Sequence, residues 1–361
     1  MRVALAYNAK PAARGDIFAI RPELVPDEEE EPPPPADGIG GHDDVYAEWD
    51  DAPTILAMAD ALSRQYEVAL IEANSRFAPR VLRWKPDLVF NVAEGMWGPA
   101  REAQVPAVLD MLRIPYTGSD GLTLAVCLHK GWANAILRSY GVPTPRHVII
   151  TDLNGLTPSI AVAFPAIVKP LHEGSSKGIR DDQVVESFGV LREHVARLLR
   201  DYAQPVLVEE FLPGREFTVA VMGNSPGLRI LPPVELRFDR LPAGSSPIYS
   251  WEAKWLWDRP EAPLEVFECP ATLAPSDQEK LERTIRGTVE TLRIRDWARI
   301  DLRMDGAGLL HVIEVNPLPG MLPDPDAHSC FPKAARAAGM DYADVILGVA
   351  SAACRRWGLS S

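Results

Sequence analysis

Lys169 closes the apolar run Ala166-Ile167-Val168 and is followed directly by Pro170. A charge emerging at the end of a buried strand is costly without an anion nearby, and phosphate is one such anion. The alternative is a lysine that snorkels to solvent. The next segment, Glu173-Gly174-Ser175-Ser176-Lys177-Gly178, can fold over a ligand and offer it backbone N–H groups and hydroxyls, or serve as an ordinary surface turn. Neither G-x-x-x-x-G-K-[ST] nor G-x-G-x-x-G occurs, so no P-loop and no dinucleotide fingerprint is indicated.

A second constellation lies near residue 300. The run "ARIDLRMDGAGLLHVIEVN" reads as a hairpin turning at "DGAG". A loop of two or four residues pairs Asp301 with Val312 and Arg299 with Glu314, and period-two alternation then puts Arg299, Asp301, Glu314 and Asn316 on one face. A three-residue loop would break that arrangement. Two carboxylates and an amide oxygen are hard ligands suited to Mg²⁺ shared with substrate phosphates. A solvated polar strand face is the alternative, but "LLHVIEVN" is otherwise apolar and its acid needs a partner.

Regular elements must position these groups. "RVALAYN", "APTILAMADALSRQ", "YEVALIE" and "DLVFNVAEG" alternate strand and helix patterns and predict a parallel βαβ arrangement over the first 120 residues. Strand ends in such sheets are where sites form. Between the first strand and the first helix, "VPDEEEEPPPPADGIGG" joins five acids to four prolines and predicts a mobile solvated loop, with an acidic interaction tail as the alternative. A helix is expected within "TGSDGLTLAVCLHKGWANAILRSYGVPTP", ended by Gly141 and Pro143, then a strand at "FPAIVKP" and an amphipathic helix at "SFGVLREHVARLLRDY". "PVLVEEFLPGREFTVAVMG" reads as two strands joined by a Pro-Gly turn. After it come a helix at "PSDQEKLERTIRGTVETL", the hairpin, and a closing helix capped by Asp341 and stopped by Gly358.

Composition narrows the function classes. With 361 residues the chain calls for two or three packed subdomains. A formal charge of -13, and no dense block of Lys or Arg, argue against nucleic acid as a partner. No apolar run reaches the roughly 18 to 20 residues that cross a bilayer, and "MRVALAYNAK" lacks the features of a signal peptide, so no membrane and a cytoplasmic location are expected. Cys127, Cys269, Cys330 and Cys354 form no C-x-x-C pair and are expected to be reduced structural thiols.

Seven motifs together resemble the D-alanine-D-alanine ligase family of the ATP-grasp superfamily. They are "IPYTGSD", "HK" at Lys130, "FPAIVKPLHEGSSKGI", "VLVEEFLPGREFTVAV", "YSWEAKW", "WARIDLRMD" and "VIEVNPLPGM", in register over roughly residues 86 to 350. The resemblance implies an α/β chain, α+β in its ATP-grasp part. A parallel-sheet, Rossmann-like pre-ATP-grasp domain (1–120) precedes a central lobe (121–206) and a C-terminal lobe (207–361) that carries the metal and substrate site, with ATP held between the two lobes.

It also implies roles. Lys130 and Lys169 resemble the pair that holds ATP phosphates, with Ser175, Ser176 and Gly178 closing over them and Glu173 bridging that loop to the active site. Glu209, Glu210 and Leu212 match the segment that receives adenine, and Glu216 the acid on the ribose hydroxyls. Asp301, Glu314 and Asn316 match the ligands of two Mg²⁺ ions, for which Mn²⁺ can substitute. Lys254 matches the lysine on the transferred phosphoryl group, Arg299 and the Gly320 N–H the donors to an oxyanion, and Ser329 the residue holding the second substrate's carboxylate. Ser176 counts among the catalytic residues and Trp255 among those facing substrate. The implied reaction makes an acyl phosphate from a carboxylate and ATP, then an amide upon attack by an amine, and the assembly the likeness suggests is a homodimer.

Departures from the family pattern bear on substrate. "AYNAKPAARGD" lacks the family's early glutamate for the first substrate's ammonium, Trp255 stands where a tyrosine is usual, "GMLPDPDAHS" inserts residues before Ser329, and "NPLPG" replaces Asn-Thr-Ser-Pro-Gly. The leading reading is a ligase making D-alanyl-D-alanine or joining other amino acids or small carboxylates. An ATP-grasp kinase and a non-catalytic nucleotide sensor are the alternatives. His172 is read as ordering the loop or touching substrate rather than as an acid or base, and the "WEAKWLW" tryptophans as loop packing rather than an aromatic pocket.

Overall fold

The fold is that of a computed structural model, described for residues 1–25, 44–258, 264–327 and 329–360. Its first unit contains β1 (Arg2–Tyr7), α1 (Ala13–Ile20), α2 (Ala52–Ser63), β2 (Glu67–Glu72), α3 (Phe77–Trp84), β3 (Leu88–Asn91) and α4 (Gln104–Leu112). The strands form a parallel sheet in the order β2-β1-β3. Alternation along β1 divides its side chains between two cores. Val3, Leu5 and Tyr7 pack with Ile55, Met58 and Leu62 of α2, whereas Ala4 and Ala6 pack with Val81 of α3 and Leu109 of α4. The expected acidic, proline-rich loop lies outside the described residues, and the short α1 precedes it, so α2 is the second helix rather than the first.

The next elements are α5 (Gly121–Leu128), α6 (Lys130–Ser139), β4 (His147–Ile150), β5 (Ala166–Pro170), β6 (Val184–Val185), α7 (Phe188–Tyr202) and β7 (Val206–Glu210). Instead of one helix through residue 129 there are two. Asp120 caps α5 through the Thr123 N–H, the chain breaks at His129, and the His129 ring accepts from the Trp132 N–H to start α6. The break puts Lys130 at the first position of a helix. Strands β4-β7-β5-β6 make an antiparallel sheet, covered by Leu191, Val195 and Leu198 of α7.

Then come β8 (Glu216–Met222), β9 (Arg229–Ile230), β10 (Val234–Leu236), β11 (Phe267–Glu268), α8 (Pro275–Thr291), β12 (Trp297–Met304), β13 (Leu310–Asn316), α9 (Cys330–Ala337) and α10 (Tyr342–Trp357). The order β11-β10-β8-β12-β13, with β9 on β8, forms the third sheet. Phe217, Val219 and Val221 turn toward Leu281 and Ile285 of α8, together with Ile300, Leu302, Leu310 and Val312. The other face of β8 and β12 is left for polar groups at one end and for α9 and α10 at the other. Trp297 of β12 packs edge-on against Phe90 of β3 at 5.6 Å and Phe331 of α9 at 5.9 Å, joining the first unit to the third sheet.

The expected strands β7 and β8 are present with the Pro-Gly turn between them, but they do not pair with each other. They lie in different sheets, and the Pro213-Gly214 turn between them is a crossing point where a Cβ on Gly214 would sit 2.7 Å from Met304. A division after residue 206 would therefore cut β7 from its partners β4 and β5. The β12–β13 register also differs from the expected one, since Arg299 faces Asn316 and Asp301 faces Glu314, while Leu302 faces Val312. Met304 pairs with Leu310 across an odd-numbered loop, which would turn Glu314 toward the core. A bulge at Ile313 absorbs the extra residue and returns Glu314 to the side of Asp301.

Candidate active site

The two antiparallel sheets and the first unit enclose a cavity of about 330 Å³. It is lined by Lys130, Lys169, Glu173, Ser175, Ser176, Glu209, Glu210, Leu212, Glu216, Lys254, Trp255, Arg299, Asp301, Glu314, Asn316, Gly320 and Ser329. Of the residues singled out from sequence, Gly178 and His172 stand off the wall. Gly178 has a φ of +71° and turns the chain at a point where a Cβ would strike Pro170, so it shapes the loop rather than lining the cavity.

The β12–β13 face is a charge cluster. Asp301 accepts from Thr218 Oγ1 at 2.6 Å, from Arg299 at 3.0 and 3.2 Å, and from Asn316 Nδ2 at 3.3 Å. Glu314 pairs with Lys130 Nζ at 3.0 Å. Burial acts to raise the Glu314 carboxyl, but Lys130, Lys169 and Arg299 outweigh it and hold the group below the usual carboxylate range. Lys169, at the end of β5, pairs with Glu209 at 2.6 Å, and Asn134 of α6 donates to the same carboxylate at 2.7 Å. The Glu209 side chain is therefore tied to the phosphate-side lysine. Glu216 pairs with Arg303 at 2.8 Å, while Glu210 reaches outward to Arg146 at 3.1 Å.

Lys254 differs from the other cations. Burial, with Arg299 adding repulsion, lowers its ammonium to about 8. It lies 5.2 Å from the centroid of the Trp255 ring, whose Nε1 faces the Ser175 carbonyl at 3.4 Å. Ser176 donates to the Tyr249 carbonyl at 2.9 Å, so the loop is joined to the segment that carries Lys254. Ser329 Oγ donates to the Gly320 carbonyl at 3.0 Å and faces the Leu322 N–H at 3.3 Å, bracing the turn after Gly320. His172 is pushed down to about 4 by burial and by His129, so its ring is neutral near pH 7 and fits the loop-ordering reading. Its N–H donates to Gln204 and its carbonyl accepts from Arg101. The four cysteines are free thiols.

The first unit adds groups that sequence reading missed. Glu48 accepts from the Gly174 N–H at 2.8 Å and pairs with Lys177 at 2.7 Å and Arg101 at 2.9 Å. Arg101 and Lys177 also both meet Glu173, and Tyr202 donates to Asp44 at 2.7 Å. Together these lock the 173–178 loop onto the first unit. Glu48 lies more than thirty residues beyond "AYNAKPAARGD", and its carboxylate is held by two cations. Glu48 follows the strand-end loop of β1, and Arg101 that of β3; the rule that sites gather at such ends was the available signal.

Comparison with known proteins bears on this geometry. The D-ala D-ala ligase C-terminus family matches residues 137–349, more than half of the chain. This chain belongs to the D-alanine-D-alanine ligase family. It is accordingly an ATP-grasp protein and an ATP-dependent ligase that forms carbon–nitrogen bonds. The D-alanine-D-alanine ligase of Ectopseudomonas mendocina is 32% identical over 280 residues, 77% of this chain and 82% of that one. An uncharacterised protein of Sinorhizobium fredii is 36% identical over 274 residues, 75% of each chain. In fold, the D-alanine-D-alanine ligase of Bacillus anthracis complexed with ATP aligns with a TM-score of 0.69 at 20% identity, covering 99% of this chain and 98% of that one.

Proposed function

We propose that the protein activates the carboxylate of an amino acid or another small acid as an acyl phosphate at the expense of ATP. It then joins that acyl group to an amine, releasing ADP and phosphate. The observation that carries this reading is the shared face of Arg299, Asp301, Glu314 and Asn316, set across one cavity against Lys130 at the start of α6 and Lys169 of β5. Synthesis of D-alanyl-D-alanine is the parent case named for the relatives. Trp255 and the inserted stretch before Ser329 support a different pair of substrates on the same chemistry.

Asp301, Glu314 and Asn316 are proposed to hold two Mg²⁺ or Mn²⁺ ions. Their donor set fits, because Mg²⁺ keeps waters and substrate phosphate oxygens beside one or two carboxylates. Among the described residues no group of three or more His, Cys, Asp or Glu makes a metal cage by itself, which suits ions that arrive with nucleotide. When bound, the metal neutralises phosphate charge.

The chain's own groups do the rest. Lys130 and Lys169 exchange Glu314 and Glu209 for phosphate oxygens, and protonated Lys254 faces the migrating phosphoryl group. Glu209, Glu210 and Leu212 flank adenine, and Glu216 takes the ribose hydroxyls. Arg299 and the Gly320 N–H stabilise the tetrahedral oxyanion, and Ser329 sits at the acceptor's carboxylate. Ser175 and Ser176, held by the loop lock, close over the phosphates and exclude water that would hydrolyse the acyl phosphate. Arg299 together with the "NPLPG" segment that presents the Gly320 N–H favours amide formation over a kinase.

Among the described residues no single helix is long and apolar enough to cross a membrane, and we place the enzyme in the cytoplasm as a homodimer. The test is incubation with ATP, Mg²⁺ and a panel of D- and L-amino acids and other carboxylates, following phosphate release and product mass. A condensed product with free phosphate is expected. A phosphorylated product, or nucleotide binding without turnover, would overturn the ligase reading.

A further inference from the structure

The wall that the first unit gives to the cavity carries more acid than its cations neutralise. Glu48 and Glu173 are accounted for by Arg101 and Lys177, and Asp51 caps α2 through the Thr54 N–H. Asp50, Glu94 and Glu102 line the same cavity. Among the described residues, none of these three carboxylates has a hydrogen-bond or ion-pair partner.

Glu102 decides the matter. It is only 8% exposed, yet it lines the cavity and, among the described residues, makes no direct hydrogen bond or ion pair through its carboxylate. Burial drives its carboxyl up to about 7, against the pull of Arg101 and with Glu48 adding to the rise. Glu94 is pushed up by burial, then by Glu102 and Glu48. Burial and Asp51 bring Asp50 to about 7, with Lys10 opposing. Buried acids left unpaired are costly, and such a cost persists where a ligand removes it. A metal does not account for them, because among the described residues no acidic group is arranged as an ion cage. Trp49 and Trp255 line the same cavity, and indole faces attract organic cations.

We infer that this end of the cavity is a cation subsite, made by Glu102 with Asp50 and Glu94, which selects an amino-acid substrate bearing an ammonium or guanidinium side chain. The inference deepens the ligase reading and rests on it for the ligand's being an amino acid. Lys130 and Glu314 line the same cavity as Glu102, so the subsite is continuous with the reacting end. The α-ammonium that every amino acid carries can meet one of the three carboxylates; a neutral side chain leaves the others unpaired, and a site built for a polar partner rejects an analogue that lacks it.

Calorimetric titration of the whole enzyme, with Mg²⁺ and a non-hydrolysable ATP analogue, tests this without turnover. Ornithine, lysine and arginine are compared with the neutral norvaline and alanine in both chiralities. Ornithine is expected to bind about tenfold or more tighter than norvaline, and Glu102→Gln to erase the difference while leaving norvaline binding unchanged. Should Glu102→Gln fail to fold, Glu94→Gln is expected to narrow the same gap. Equal or tighter binding of norvaline by the wild type, or an undiminished preference in a folded Glu102→Gln variant, would overturn the inference. A cation preference without condensation of any acid and amine would overturn the ligase reading and leave the subsite standing.

Discussion

Lys254 is a lysine held near its titration point, and that sets a pH dependence. Its ammonium loses the proton at about 8 because burial, with Arg299 beside it, disfavours the charge. Below that pH the cation is present to meet a phosphoryl group; above it the amine is neutral. kcat/KM should therefore fall by about tenfold per pH unit above 8, and Lys254→Arg should carry the descending limb to higher pH. An alkaline limb unmoved by that substitution would remove Lys254 from the chemistry. Glu314→Ala should lower kcat by about a hundred- to a thousandfold while leaving the circular-dichroism spectrum and melting temperature nearly unchanged. Lys130 keeps the Glu173 carbonyl as a partner, so the fold loses little, and undiminished turnover would count against Glu314 as a metal ligand. Glu314 was legible because its charge stands in an apolar strand that cannot bury it alone, whereas Lys254 was legible only through the family resemblance. Glu48, Arg101 and Glu102 were not, since an acid or base in a strand-end loop looks like any solvated charge until the loop is folded over something.

Among the elements, the loop lock is the most consequential. Glu48, Arg101, Glu173 and Lys177 hold residues 173–178 against the first unit. Lys177→Met leaves Glu48 and Glu173 to share Arg101, and breaking such a buried pair costs about 3 kcal/mol. The expected result is faster amide exchange across 174–179 and a KM for ATP raised about tenfold, with kcat changed less. Unchanged exchange in that segment would show that the lock does not order it. Element identity was legible wherever periodicity was strong, as in β1, α2, α7, α8 and α10, whose Asp341 capping box and Gly358 stop follow from local chemistry alone. The β12–β13 register was not. It depends on how an odd loop and the bulge at Ile313 offset each other, and packing of Val312 and Val315 into the core decides where that bulge falls.

At the scale of the whole molecule, one buried carboxylate ties distant parts together. Asp296 is fully buried at a φ of +62° and accepts from the Gly118 N–H, from Asn224 and from Arg356 of α10. Asp296→Ala leaves Arg356 without that carboxylate and should cost about 3 to 5 kcal/mol, read as a lower urea midpoint, with Asp296→Asn milder. A change within error would show that the junction does not contribute to stability.

Sequence by itself determined the strand-end lysine, the acidic hairpin, helices α2, α7, α8 and α10, and the order of motifs that marks the ligase family, because each rests on neighbours in the chain or on period-two and 3.6-residue patterning. Tertiary structure alone decided that β7 and β8 part into different sheets, that His129 breaks a helix to aim Lys130, and that Glu48 and Glu102 reach a cavity formed by residues more than two hundred positions away. Those outcomes depend on burial and charge pairing between segments that meet only after folding, and no local pattern records which acid will find a cation and which will be left to a ligand.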